Sequence, residues 1–134
     1  MKKEFIPYEQ ALALKELEFD EPCVAFYYGQ LNRLEIGFNW LNEGCKNSLL
    51  EDIISAPLYQ QAFRWFREKH RLFHNVERES AQEYFCNYSI KEFDGIKNID
   101  HRGKGYRYEE EAELACLNKL IEIVKNAKNS NIEL

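Results

Sequence analysis

The sequence predicts an α+β domain, with helices packed on an antiparallel sheet in the order α-ββ-α-ββ-α, a layered α/β sandwich. Three observations predict it. Residues 57–73 and 109–127 carry apolar side chains at helical spacing, and a shorter stretch near 5–17 does the same. Residues 23–40 and 83–108 instead carry short apolar or alternating runs broken by turn residues. Each strand region lies between two helical ones, with no internal repeat, so 134 residues suit one domain over 1–128 and a frayed tail over 129–134.

The first helix is expected from Phe5 to Leu17, with Pro7 in its first turn and Phe19-Asp20-Glu21-Pro22 ending it. Cys23 to Tyr28 is short, aromatic and continuously apolar, as a strand covered on both faces would be. After a turn, Leu34, Ile36, Phe38 and Trp40 alternate with Glu35, Gly37 and Asn39, giving a hairpin. Residues 41–54 read as a turn followed by a short helix or an edge strand.

The central helix is expected from Pro57 to about Phe73, capped by Ser55, because proline suits a first helical position whose N–H would be unbonded anyway. Leu58, Ala62, Phe63, Trp65, Phe66 and Phe73 form its apolar face, with Trp65 and Phe66 as anchors, and Arg64, Arg67 and Arg71 lie opposite. Residues 75–82 read as a connection or a frayed helix end. Tyr84, Cys86, Tyr88 and Ile90 then mark a strand on which Phe85 and Phe93 break the polarity of the second face. Residues 94–105 read as turn-rich, with Tyr106-Arg107-Tyr108 as the closing strand. Glu109 to Ala127 forms the last helix, its inward face Ala112, Cys116, Leu120, Ile123, Val124 and Ala127, widened by Leu117 and Ile121, and its acidic first turns favoured by the exposed N–H groups there.

Composition restricts the function classes. Hydrophobic residues make up 45% and charged residues 31%, an ordinary globular balance, and aromatics at 14% supply rings for a core and a partner surface. The net charge of −5 argues against nucleic acid and anionic lipid as bulk partners. No apolar run reaches the roughly 20 residues of a membrane helix, and Met1 to Phe5 leads into a polar helix, so a cytoplasmic protein is expected. Cys23, Cys45, Cys86 and Cys116 include no CxxC pair and are expected as reduced, largely buried thiols.

Chemistry-bearing patterns are sparse. His70 and His74, four apart on one helix, would chelate zinc only with a third ligand such as His101 or Cys45, and Arg71 beside them repels a cation, so no metal is expected. Arg64, Arg67 and Arg71 on the central helix, and Arg102 and Lys104 in the glycine-containing loop, are the candidate binding residues for a small anionic, nucleotide-like ligand. The competing reading gives the helix arginines internal partners, Glu68 one turn on or Glu110, Glu111 and Glu113 of the last helix. The loop spacing is neither a P-loop nor a dinucleotide fingerprint, so no cofactor is expected. Asp94 with Asp100, and Glu51 with Asp52, lack positioned partners for acid–base work, and no nucleophile motif is present, so enzymatic activity has no positive support.

Three blocks, Asp20-Glu21-Pro22-Cys23, Ala56-Pro57 through Ala62-Phe63-Arg64-Trp65-Phe66-Arg67-Glu68-Lys69, and Glu110-Glu111-Ala112-Glu113-Leu114-Ala115-Cys116-Leu117 through Lys125, resemble a family of small uncharacterised proteins encoded by tailed phages and prophages of gut Bacteroides and relatives. The resemblance covers the helices; residues 75–82 and 94–105 depart from it. It implies a phage or prophage origin and an α/β layered fold, and it brings no catalytic residues. The resulting expectation is a phage accessory protein that works by binding a protein partner or a second copy of itself.

Overall fold

The computed structural model describes residues 2–28, 32–37, 52–78, 86–93 and 98–132. The fold is α+β, as the sequence predicts, with three helices and two antiparallel three-stranded sheets among the described residues. The chain falls into two compact units, Met1–Gln61 and Ala62–Leu134.

In the first unit a 3-10 turn (Lys2–Glu4) precedes α1 (Tyr8–Glu16). Pro7 is the N-cap, not a first-turn residue, with an extended ψ of 164°. Proline 22 does not end this helix. Glu18 adopts φ 71°, its N–H reaches the Lys15 carbonyl at 3.0 Å, and the Phe19 N–H reaches the Leu14 carbonyl at 2.9 Å. That is a Schellman stop, sealed by buried Leu14 and Phe19, with glutamate where glycine is usual.

Strand β1 (Ala25–Tyr28) is central, flanked by β2 (Arg33–Ile36) and β3 (Ile53–Ser55). The β1–β2 pair is the expected hairpin, and β3 resolves the end of residues 41–54 as an edge strand. Phe38, Trp40, Cys45 and the rest of 38–51 lie outside the described residues. The Tyr27 hydroxyl donates to the Ile6 carbonyl at 2.8 Å, and burial raises its pKa. Gln61 ties Glu21 and Pro22, donating to Glu21 Oε1 at 3.3 Å and to the Pro22 carbonyl at 3.1 Å.

The central helix, α2 (Tyr59–His70), is shorter than expected at both ends. Ser55 is not its cap; it is a fully buried residue of β3. Leu58 precedes the helix and bridges Phe5. Arg71 turns the chain at φ 55°, so Phe73 belongs to a strand, not to the helix. Ala62, Phe63, Trp65 and Phe66 are buried, with Trp65 and Phe66 edge to face at 4.9 Å.

Strand β4 (Leu72–Arg78) pairs with β5 (Cys86–Phe93), and β5 pairs with β6 (Asn98–Arg102), giving the order β4-β5-β6. Residues 75–78, read as a connection, are strand, and the closing strand lies in the stretch read as turns. Tyr106 makes only an isolated bridge to Cys86. α3 (Glu109–Ile132) packs on β4 and β5 and runs through most of the expected tail. Its Ala112, Cys116, Leu117, Leu120, Ile121 and Val124 are buried, while Ala127 is exposed. No helix among the described residues is long and apolar enough to cross a membrane.

Candidate functional site

Register divides the second sheet into two faces, because opposed residues point to the same side. Leu72, His74 and Val76 share one face with Tyr88, Ile90 and Glu92 and with Ile99 and His101. The helices cover this inner face: α3 lies on β4 and β5, and Phe63 of α2 stacks on the His74 ring at 3.9 Å with 18° between planes. Burial, and then the charge of Arg67, lowers the His74 pKa.

The outer face carries Phe73, Asn75 and Glu77 on β4, Asn87, Ser89, Lys91 and Phe93 on β5, and Asn98, Asp100 and Arg102 on β6. Phe73 and Phe93 meet edge to face at 5.4 Å, yet remain 39% and 44% exposed. Among the described residues, two acids, Glu77 and Asp100, and two bases, Lys91 and Arg102, balance across this face. Residues 62–134 as a whole hold 13 Lys and Arg against 13 Asp and Glu, so the net −5 arises entirely within 1–61.

A cavity of about 240 Å³ opens at the inner face, lined by His70, Leu72, Glu92, Ile123, Val124 and Lys128 among others. Burial, then Lys128 and Lys69, lower the His70 pKa and favour a neutral imidazole. The Glu92 carboxylate meets His101 Nε2 at 3.3 Å. These are groups able to exchange protons, but among the described residues the lining has no hydroxyl or thiol nucleophile, and the volume falls below the roughly 300 Å³ at which small-molecule sites begin.

The histidine pair of the sequence is separated. His70 ends α2 and His74 lies in β4, so they do not share a helix face. Among the described residues no group of three or more His, Cys, Asp or Glu could hold a metal. Cys23, Cys86 and Cys116 are buried thiols outside any disulfide, and burial followed by Glu113 pushes Cys116 up to about 12, which keeps it protonated and unreactive.

The five candidate cations form two groups. Arg64 and Arg67 are exposed one turn apart on α2, with Arg71 just beyond its end; Arg102 ends β6 and Lys104 follows. Arg71 adjoins the Leu72–Glu92–Ile99 row, whereas Arg102 lies in the Asn75–Ser89 row, about 10 Å further along the strands. Among the described residues no ion pair joins Arg64 to Glu68, or any of the α2 arginines to the acidic start of α3.

The loop glycines are committed to the fold. Gly103 N–H donates to the Tyr88 carbonyl at 3.1 Å and Gly105 N–H to Asn87 Oδ1 at 3.2 Å. A Cβ on Gly103 would fall 2.5 Å from Asn87 Oδ1 and 2.7 Å from the Tyr88 ring, so close packing requires glycine there. The loop presents outward the side chains of Arg102 and Lys104, the latter 6.0 Å from the Tyr106 ring.

Compared with protein-family models, with curated proteins and with solved structures, the chain matches none. The sequence missed the Phe73 and Phe93 pair because Phe73 fits the period of the helix before it. The available signal was Phe93, an apolar residue on the otherwise polar side of its strand.

Proposed function

We propose that this chain is a phage or prophage accessory protein of the cytoplasm that works by binding, as a self-associating module with no chemistry of its own. The outer face of the second sheet is its contact surface. The observation that carries this reading is the exposed Phe73 and Phe93 pair on the face opposite the helices. Burying what remains exposed of the two rings would recover about 1–2 kcal/mol, and the polar residues around them suit the rim of a protein interface. A face with balanced charge favours a protein partner over a polyanion. The resemblance of the helical blocks to phage proteins supports the origin.

A photo-crosslinking amino acid at position 93 tests the contact surface in the host cell. The expected result is an adduct with one defined protein, lost on Phe73→Ser while far-UV circular dichroism is unchanged. Adducts with nucleic acid, or none, would overturn the reading. Sedimentation equilibrium tests self-association separately.

A second reading, a small anionic ligand, is favoured by the exposed Arg64 and Arg67 guanidinium groups one turn apart without ion pairs among the described residues. It requires a thermal shift with a nucleotide or inorganic phosphate that disappears in Arg64→Ala/Arg67→Ala.

A further inference from the structure

The free edge of the second sheet has a self-complementary pattern. β6 bonds β5 on one side and has no strand on its other side among the described residues. The Gly103 N–H to Tyr88 carbonyl bond fixes which residues face which way. In an antiparallel ladder bonded pairs alternate with non-bonded ones, so Ile99, His101 and Gly103 direct their backbone groups at β5. Asn98, Asp100 and Arg102 direct theirs at the open edge. β6 holds no proline or lysine, but it is short, carries Asp100 and Arg102, and is followed by a one-residue register shift where Cys86 pairs with Tyr106.

We infer that two copies of this chain pair antiparallel through β6 about a two-fold axis at His101, joining two three-stranded sheets into one of six strands. This rests on the self-association in the reading above. Four registers place outward-bonding residues of β6 opposite each other around its central residues, and the one centred on Ile99 sets Asn98 opposite the partner's Asp100, with no opposite charges met. Centring on Asp100 opposes two aspartates, and centring on Arg102 opposes two arginines, both repulsive. Centring on His101 sets each Asp100 opposite the partner's Arg102, on the outer face and in the bonded phase, so charge and hydrogen bonding select the same register. It also sets Ile99, 40% exposed, opposite the partner's Gly103, on which the partner's own Asn87 and Tyr88 side chains already pack. Asn98 then faces the partner's Lys104, with no like charges opposed.

Because the two halves of the charge pattern are on one chain, the register has a specific test by sedimentation equilibrium. Asp100→Arg opposes two arginine pairs and Arg102→Asp opposes two aspartate pairs. Each single variant is expected to raise the dimer dissociation constant about tenfold or more. An equimolar mixture of the two restores complementary pairs and should return the affinity to the parent value, as should the double swap Asp100→Arg/Arg102→Asp. If the parent is dimeric and the single variants dimerise equally well, the β6 register is overturned while self-association stands. If the parent is monomeric at every concentration, self-association falls with it, leaving the outer-face contact to its own crosslinking test.

Discussion

β3 and β6 occupy equivalent places, each an edge strand paired to the centre of its sheet, and they are finished in opposite ways. Ile53, Ile54 and Ser55 of β3 are buried, α1 lies against them, and the Lys15 ammonium donates to the Ile53 carbonyl at 2.8 Å. Asn98, Ile99, Asp100 and Arg102 of β6 are exposed, and only His101 is half covered. Of these two edges, one is closed by its own helix and side chains and the other has no strand beside it among the described residues. The charge follows the same division, with the acidic excess all in 1–61 and balance in 62–134.

Truncation of one isoleucine in each strand should separate them most widely. Ile54→Ala removes buried methyls and should cost about 2–5 kcal/mol in urea unfolding, whereas Ile99→Ala, measured dilute, should cost under about 1 kcal/mol. Equal losses would mean that β6 is covered after all. Lys15→Met should follow at about 1–3 kcal/mol, since it removes a charged donor from the Ile53 carbonyl.

The pH dependence bears on the inner face of the second sheet. His74 has its folded pKa lowered by burial and then by Arg67, so the unfolded chain takes up the proton first as pH falls. Stability should decline as pH drops through about 6.5 and stop declining below the lowered folded value. His74→Phe keeps an aromatic ring against Phe63 and should flatten that slope, read as urea midpoints from pH 8 to 5. Glu113 acts with opposite sign: burial, then Glu109 and Glu110, raise its pKa. Glu113→Gln should therefore stabilise at pH 7, and the gain should vanish as pH falls below about 4.5. A gain rather than a loss is expected in the first unit, where Glu18→Gly relieves a left-handed residue and should stabilise by about 1 kcal/mol.

Helix type and the buried face were readable because Ala62, Phe63, Trp65 and Phe66, and Ala112 through Val124, carry a period that burial enforces. Boundaries set by a single dihedral were not. Arg71 and Glu18 end helices at positive φ without the glycine that would announce it. β6 was hidden because an exposed edge strand has no apolar alternation to display, and its polar residues resemble a turn. The cavity groups were equally hidden, since His70, Glu92 and Lys128 come from three elements whose meeting depends on packing. The candidate arginines were legible as charge but not as a site, because their convergence depends on strand register.

Amide hydrogen exchange across a concentration series tests the open edge most directly. The account predicts that Ile99 and His101 amides, bonded to β5, are protected at every concentration, while Asp100 and Arg102 amides gain protection only as the chain self-associates. Exchange at Asp100 and Arg102 that is independent of concentration in a sample shown to dimerise would contradict it.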